Sequence, residues 1–328
     1  MSRHYFNFLA VAALAAAVPW VGSASGTTVA SASGTTVGTP ALRVAPARAR
    51  PGDAVLVTVT GVLAADAARV SGTVSGSTVS GTASTGTASG TASARRLRFF
   101  PTASGTQAST QAIAAIPIEL EPGTLSIEVR IPGLADPLHA TVEVVDPAFP
   151  ETMLSVEPKF ITPSPEQRKR MEEDQAAFRE AFGRPVEAPL FAGPFGRPRD
   201  AVTTGQYGER RIFNGKKQSQ HYGIDLAGAV GDPVLATNDG VVILVRNCFA
   251  SGKSIAVSHG AGLFSVYFHL SEFDVRHGDR VRQGQPIGKV GNTGRATGPH
   301  LHFGVKVGDL YVDPESVYRL AFSIPAAP

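Results

Sequence analysis

Short runs of alternating apolar and polar residues make up most of the chain, and this pattern predicts a mainly β protein. In the first half, runs rich in β-branched residues are bounded by Pro-Gly and similar turns: Ala54–Val59, Ala112–Leu120, Leu125–Ile131 and Ala140–Val145. These runs predict a β-sandwich-like domain over residues 41–147. In the second half, runs separated by Gly-rich turns predict an antiparallel sheet built of hairpins. The runs are Pro233–Ala236, Gly240–Val245, Lys253–Val257, Leu263–His269 and Leu301–Val307.

One segment between these halves changes to a helical period. Ser164 is a suitable N-cap, Pro165 suits the first helical position, and Gln167 completes a capping box. Over residues 164–182, four side chains fall on one stripe: Met171, Gln175, Phe178 and Phe182. We expect an amphipathic helix, within a linker over residues 148–199, that lays its Phe stripe on a neighbouring domain. Docking of a separate partner on this stripe is the alternative.

Residues 1–24 have the layout of a cleaved secretory signal peptide. Basic residues near the start are followed by an apolar stretch, Phe8–Val18, and by small residues up to Ala24. An uncleaved membrane anchor is the alternative, but this stretch is shorter than the ~20 residues that span a bilayer. We therefore expect export, with no stable membrane span after cleavage.

Two tracts of small polar residues interrupt the strand pattern. A SASGTTV motif occurs at Ser23–Val29 and again at Ser31–Val37, and residues 72–94 consist almost entirely of Ser, Thr, Gly and Ala. Such residues bury too little apolar surface to offset the entropy of ordering the chain. They predict a low-complexity linker at 25–40 and a disordered loop at 72–94 inside the sandwich.

Charge and cysteine content narrow the possible chemistry. The formal net charge is +3 and no long run of Lys or Arg occurs, so a nucleic-acid partner is not expected. The single cysteine, Cys248, excludes an internal disulfide and a metal cluster held by cysteines, and it is better interpreted as a small apolar residue than as a nucleophile. No G-x-S-x-G motif supports a serine hydrolase. A metal site in this chain must therefore use histidines and carboxylates.

Six of the eight histidines lie between residues 221 and 302. The two-residue period of a strand places His300 and His302 on one face. On the run Leu263–His269, alternation places His269 on the face of Ser265 and Tyr267, and we expect this face to line the same polar cavity. The alternate residues of that run are expected to be buried; they are Phe264, Val266 and Phe268.

His221 and Asp225 are too far apart to share a metal in a straight strand, since four steps separate their backbones by roughly 13 Å. The backbone must therefore bend between them, and Gly223 permits a bend. Histidine nitrogen and aspartate oxygen together suit zinc. No chemical role is expected for the three remaining histidines of the two domains: His139, His259 and His277.

Five motifs in the second half, in their order and spacing, resemble the lysostaphin-type zinc metallopeptidases (peptidase family M23), which cut peptide bonds of bacterial peptidoglycan. The resemblance covers residues 200–320, and the preceding β domain and linker helix are similar to the architecture of periplasmic members. We therefore expect a protein of the periplasm or cell envelope, or a secreted one. The motifs are YGER at Tyr207–Arg210, FNG at Phe213–Gly215, HYGID at His221–Asp225, SVYFHLS at Ser265–Ser271 and TGPHLHFGV at Thr297–Val305.

The resemblance implies a β-sheet core with a groove over one Zn²⁺ per chain. By position, His221, Asp225 and His302 would be the zinc ligands, and His269 and His300 would flank the open site in acid/base and transition-state roles. Which histidine is the general base stays open. Two further residues in the motifs, Tyr207 and Asn214, are interpreted equally well as groove residues or as structural ones.

The implied activity is hydrolysis of the stem-peptide cross-links of peptidoglycan, and the bond that is cut stays open. The alternative is a non-catalytic peptidoglycan-binding protein that activates a cell-wall amidase. Such a protein is expected to lack some of the zinc ligands. All five key residues are present here, which favours the enzyme.

Overall fold

The computed structural model describes residues 38–78, 94–102, 107–184 and 186–323. The expected signal peptide, residues 25–37 of the expected linker and residues 79–93 of the Ser/Thr/Gly tract lie outside the described residues. Within the described ranges, no helix has the length and apolar character that a membrane crossing requires. The protein is mainly β, as the alternation of apolar and polar residues predicts.

The N-terminal domain, residues 38–147, consists of two sheets that pack face to face. One sheet has the strand order β1-β3-β7-β6 and the other the order β2-β9-β8-β4-β5. Buried side chains of β3 and β7 meet those of β4, β8 and β9 in a single apolar cluster. The elements are β1 (Ala41–Ala45), β2 (Arg48–Ala49), β3 (Ala54–Leu63), α1 (Ala64–Ala67), β4 (Ser71–Thr78), β5 (Arg95–Arg96), β6 (Phe100–Thr102), β7 (Gln107–Ala115), β8 (Gly123–Arg130) and β9 (Leu138–Val144).

Two details of this domain differ from the expectation. The start of the Ser/Thr/Gly tract, Gly72 to Thr78, is not a loop, because it forms most of β4 and pairs along its whole length with β8. Val74 of this strand is buried in the apolar cluster, which compensates for its small polar neighbours. The run expected at Ala112–Leu120 is shifted, because β7 ends at Ala115 and a turn follows in which the Leu120 amide donates to the Pro117 carbonyl.

The helix α2, Pro165–Phe182, begins as its sequence predicts. The Ser164 hydroxyl accepts from the Gln167 amide, and the Gln167 side chain accepts from the Ser164 amide. The stripe is covered by the chain itself, since the ring of Phe178 lies 5.7 Å from that of Phe268. Gln175 is exposed, contrary to the expectation, and the buried polar residue of the helix is Asp174.

The C-terminal domain, residues 148–323, contains three sheets. The largest has the order β11-β14-β22-β18-β17-β16-β20, with β23 paired to β22, and smaller sheets have the orders β10-β12-β13 and β15-β21-β19. The strands are β10 (Glu151–Leu154), β11 (Thr203–Gly205), β12 (Arg210–Phe213), β13 (Lys217–Gln220), β14 (Ile224–Ala227), β15 (Pro233–Leu235), β16 (Gly240–Cys248), β17 (Gly252–Gly260), β18 (Leu263–Leu270), β19 (Glu272–Phe273), β20 (Arg280–Val281), β21 (Pro286–Lys289), β22 (His300–Val307) and β23 (Leu310–Val312). The helices are a 3₁₀ turn (Pro158–Phe160), α2 and α3 (Pro314–Tyr318).

The segment expected as a linker over residues 148–199 contributes to this domain directly. Its strand β10 pairs in parallel with β12, from Glu151 opposite Arg210 to Leu154 opposite Phe213. Further along, Phe191 and Phe195 are buried in the same apolar cluster as the residues of the large sheet. The segment is therefore part of the fold of the C-terminal domain in addition to connecting the two domains.

The two domains share packed surface. Ala54, Leu56 and Ile113 of the N-terminal domain belong to the apolar cluster of the C-terminal domain. The Ala54 amide donates to Ser316 Oγ at 2.9 Å, and Arg50 forms a salt bridge with Asp313 at 2.9 Å. The sheet that contains β3 and β7 is therefore covered on both faces.

Candidate metal centre and active site

Two neighbouring strands bring the candidate ligands together. In the antiparallel pair of β14 and β22, Asp225 lies opposite His302 and Ala227 lies opposite His300. His221 precedes β14, and the backbone bends at Gly223 as expected. A side chain at this position would have its Cβ 2.8 Å from His302 Nε2, so glycine is also needed for close packing.

Three ligand atoms converge at this point. Asp225 Oδ1 lies 3.1 Å from His221 Nε2 and 2.9 Å from His302 Nδ1, and the two nitrogens are 2.9 Å apart. All candidate ligand atoms of these residues lie within 4.8 Å of one another. His221 and Asp225 are buried, with 4% and 7% of their surface exposed. The structure thus brings together the three residues that the resemblance names as ligands, as one possible metal site.

The remaining polar atoms of two of these side chains are held by other groups. His221 Nδ1 donates to the Gln206 carbonyl at 2.7 Å, which leaves Nε2 without a hydrogen when the ring is neutral. Asp225 Oδ2 accepts from Arg211 Nη2 at 2.6 Å, so Oδ1 alone faces the histidines. Such outer hydrogen bonds orient metal-binding side chains.

Arg211 is itself held in place by a carboxylate. Its Nε donates to Glu209 Oε2 at 2.7 Å, and Glu209 accepts a further hydrogen bond from the Thr152 hydroxyl. Gly205 leaves room for the contact between Arg211 and Asp225, since a Cβ there would lie 2.4 Å from Arg211 Nη2. A chain of polar contacts therefore runs from β10 to Asp225.

The protonation states suit a metal ion. Burial alone would raise the pKa of Asp225, but hydrogen bonds with His221 and His302 outweigh it and hold this pKa well below its usual range. Burial lowers the pKa of His302 to about 4, against the opposing effect of Asp225. At neutral pH, Asp225 is therefore ionised and His302 is neutral, as metal ligation requires.

His269 and His300 lie beside this cluster with their rings 4.9 Å apart. His300 Nδ1 donates to the Gly298 carbonyl at 2.8 Å, and His269 Nδ1 donates to the Thr293 carbonyl at 2.7 Å. In the neutral rings, Nε2 is therefore the unprotonated nitrogen, and that of His300 lies 3.7 Å from Asp225 Oδ1. Burial lowers the pKa of His269 to about 3, and the neighbouring His300 and His302 add to this shift.

His269 reaches the site for a reason other than the expected one. Tyr267 is fully buried against Phe303 in the interior, and Phe268 instead lies with its ring stacked on His302 at 5.3 Å. Regular alternation would therefore direct His269 away from His302. The pairing of β17 with β18 shifts register here, and His269 adopts a positive φ of 63°. This local break in the strand turns His269 toward His300.

Among the described residues, three further histidines lie away from the site. His139 and His277 are exposed, as expected for residues without a chemical role. His259 is fully buried at the end of β17, where its Nδ1 donates to the Asp239 carbonyl at 2.7 Å and its Nε2 lies 2.8 Å from Ser265 Oγ. Ser265 therefore belongs to this internal network and does not line the polar cavity.

Two residues that the sequence left open, Tyr207 and Asn214, have structural contacts, and Cys248 has the buried position that is expected of a small apolar residue. The Tyr207 hydroxyl donates to the Tyr311 carbonyl at 2.9 Å, and Tyr207 is buried. The Asn214 side chain forms two hydrogen bonds with the backbone of Val156. Cys248 is buried and its thiol pKa is raised by burial, which is the opposite of what a nucleophile requires.

A groove of about 490 Å³ runs over the five key side chains. Its walls come from β10, β12 and the loop before β22, and they include Leu154, Phe213 and Arg295. Sequence reasoning missed Arg211 and Arg295. Arg211 directly follows the YGER motif and lies two residues after Glu209, which belongs to that motif. Opposite charges at positions i and i+2 are a usable signal for two side chains on the same face of a strand.

Residues 219–314, which contain all five key side chains, match the family model for Peptidase family M23. This segment of the chain therefore matches an M23 peptidase domain. Over 112 residues it is 40% identical to the peptidoglycan DD-endopeptidase ShyA of Vibrio cholerae, an alignment that covers 34% of this chain and 25% of the relative. Over 97 residues it is 42% identical to the DD-carboxypeptidase/endopeptidase Mpg of Neisseria meningitidis, covering 30% and 22%. The chain thus spans about a quarter of the length of these curated relatives.

The likeness to one solved structure extends beyond the M23 domain. A putative peptidase M23 from Pseudomonas aeruginosa superposes with a TM-score of 0.53 at 26% identity, over 82% of this chain and 94% of that chain. Since the matched segment is less than a third of the chain, this likeness includes a large part of the chain outside residues 219–314.

Proposed function

We propose that this protein is a zinc-dependent endopeptidase that hydrolyses peptide bonds in the cross-links of bacterial peptidoglycan. The observation that carries the proposal is the complete set of five side chains in one groove. His221, Asp225 and His302 offer converging ligand atoms, and His269 and His300 lie beside them. A set of three ligands with two adjacent histidines suits a hydrolytic metal site.

The three candidate ligands fit zinc by their chemistry. Two imidazole nitrogens and one carboxylate oxygen are typical zinc donors, and each is buried or half-buried at the base of the groove. His221 would bind through Nε2, His302 through Nδ1 and Asp225 through Oδ1, because the other atoms of His221 and Asp225 are already engaged. When bound, one zinc ion per chain supplies a Lewis acid that polarises a peptide carbonyl and acidifies water.

The two adjacent histidines would handle protons at Nε2. Because a backbone carbonyl holds the Nδ1 hydrogen of each ring, both rings present an acceptor nitrogen toward the groove. Such a nitrogen can accept a proton from the attacking water and return it to the leaving amine. We assign this work to the pair without dividing the roles between His269 and His300.

The proposed substrate follows from the relatives and from the groove. One relative is named a peptidoglycan DD-endopeptidase and the other a DD-carboxypeptidase/endopeptidase, and an open groove suits an extended peptide within a polymer. The protein would then act in the periplasm or cell envelope, or after secretion. A non-catalytic activator of an amidase is the less favoured function, because it would have no need for all five side chains.

Digestion of purified peptidoglycan tests the proposal. The protein is incubated with the polymer with and without a zinc chelator, and the released fragments are identified by mass spectrometry. We expect cross-linked dimers to become monomers only without chelator, and the His302→Ala variant to release nothing. Binding of the polymer without cleavage by zinc-loaded protein would instead favour the non-catalytic activator.

A further inference from the structure

The groove contains an arginine that, among the described residues, lacks a partner of opposite charge. The Arg295 guanidinium lies over the ring of Phe213, with its Cζ 4.5 Å from the ring centre. The side chain is half-buried and lines the same groove as His269 and His300. Within residues 38–78, 94–102, 107–184 and 186–323, no carboxylate forms a salt bridge with it, and its pKa is lowered by burial and by the nearby charge of Arg211.

The neighbouring Arg211 differs from Arg295 in this respect. Arg211 contacts two carboxylates, those of Glu209 and Asp225, so its charge is compensated within the protein. Arg295 keeps its charge in a partly desolvated position without such compensation. Partial burial of an unpaired charge costs free energy, and an anion that enters the groove would recover part of it.

The backbone of Arg295 is fixed in place. Its amide donates to the Ala250 carbonyl at 2.7 Å, which ties the loop to the β16–β17 turn. Two residues earlier, Thr293 Oγ1 accepts from the Lys253 amide at 2.9 Å, and the Thr293 carbonyl accepts from His269 Nδ1. The loop that orients His269 therefore also sets the position of the guanidinium.

We propose that Arg295 binds a carboxylate of the substrate on one side of the cleaved peptide bond, so that the groove selects peptides with a free carboxylate on that side. This inference rests on the proposed function. The planar guanidinium matches a carboxylate in a bidentate geometry, and stacking on Phe213 holds its plane while the N–H edges stay free.

The carboxylate can come from either side of the bond. In a cross-link from D-alanine to diaminopimelate, the carbon that bears the released amine also bears a free carboxylate. On the acyl side, stem peptides carry acidic residues further from the bond. The interior of a glycine bridge has neither group, so Arg295 disfavours such bridges as substrates.

Matched substrates test the role of Arg295. Three cross-linked stem-peptide dimers are compared: one with all carboxylates free, one amidated beside the released amine, and one amidated on the acyl side. We expect wild-type kcat/KM to fall about 10- to 100-fold with only one of the two amidated dimers, which identifies the bound carboxylate. In Arg295→Ala, kcat/KM on the dimer with free carboxylates should fall by the same factor. Amidation of the bound carboxylate should then cause little further loss in this variant. Arg295→Lys should recover part of the loss, and the exposed Arg282→Ala should behave as wild type.

Binding provides a readout that does not need turnover. The amine-side and acyl-side fragments, each in acid and amide form, are titrated into wild-type protein and Arg295→Ala by calorimetry. For one of the two fragments, we expect the acid to bind at least about tenfold more tightly than the amide. This preference should vanish in Arg295→Ala. Equal binding of acids and amides by the wild-type protein overturns the inference. Failure to cleave any dimer overturns the proposed function. In that case, calorimetry still tests whether Arg295 binds a carboxylate.

Discussion

The interiors of the two domains are built in different ways. Between the sheets of the N-terminal domain, the packed side chains are apolar and largely aliphatic, such as Val57, Leu125 and Ile127. The C-terminal domain buries comparable apolar residues, but it also buries His221, Asp225, His259 and His269. Buried polar groups need partners, and these four side chains have them. The first interior serves packing, whereas the second also positions side chains of the candidate site.

Backbone strain follows the same division. Among the described residues, four that are not glycine have positive φ: Ala148, Asn214, Ala261 and His269. None lies in a strand of the N-terminal domain, and only His269 belongs to the five key side chains. A strained conformation persists where surrounding structure enforces it, here the hydrogen bond to Thr293 and the register shift of β18.

The sharpest test of this division removes a candidate ligand. We expect His302→Ala and Asp225→Ala each to abolish zinc binding and peptidoglycan cleavage, because two donors do not hold the ion and the remaining buried groups lose their partners. Zinc content is measured by metal analysis and activity by fragment release. The exposed His277→Ala is the control. Full activity in His302→Ala would contradict the proposed site.

Removal of an adjacent histidine should separate chemistry from metal binding. We expect His269→Ala to lower the rate about 10²- to 10⁴-fold, as for the loss of a general acid or base, while much of the zinc is retained. Rate and zinc content are measured on the same preparation. Loss of zinc as complete as in His302→Ala would instead make His269 a ligand.

A substitution between the sheets should affect stability and not chemistry. Ile127 is 1% exposed, and Ile127→Ala should lower the free energy of unfolding by about 2–5 kcal/mol. The zinc content and specific activity of the folded protein should stay unchanged. Ser126→Ala on the exposed face of β8 is the matched control, with an expected change within about 0.5 kcal/mol. Denaturant titration measures both.

The outer contacts of the site should have a smaller effect than the ligands. Arg211→Met leaves Asp225 Oδ2 without its partner, and we expect zinc affinity to fall about 10- to 100-fold. The neighbouring Arg210 is exposed, so Arg210→Met is the control. Competition with a chelator of known affinity measures the change, and equal affinities of the two variants would show that Arg211 has no positioning role.

The smallest expected effect lies at the start of α2. Ser164→Ala removes the acceptor of the Gln167 amide and should lower the free energy of unfolding by about 1 kcal/mol without a change in activity. Gln175→Ala, at an exposed position of the same helix, should leave stability nearly unchanged. A similar stability in both variants would mean that the capping box contributes little.

Local patterns predicted much of the fold because the deciding interactions are local. The capping box at Ser164 and the alternation along β3, β8 and β9 each depend on residues close together in sequence. The ends of β4 and β7 were not predicted, since pairing with a distant strand decides them.

For the site, the motifs brought together His221, Asp225, His269, His300 and His302, and the structure places them in one groove. The face of His269 was mistaken, because alternation fails where the strand changes register. Arg211 and Arg295 were missed because their meaning depends on contacts with Asp225 and Phe213, which no local period encodes.

The parallel pairing of β10 with β12 has a consequence for protein engineering. A designer who cuts the chain at residue 200, where the motifs begin, discards one wall of the groove and the Thr152 hydroxyl that holds Glu209. The exposed edge of β12 would then be free to pair with another chain. A transplantable unit should start before Glu151. Ala54 and Leu56 would no longer cover its surface, so the apolar residues that they contact should be replaced by polar ones.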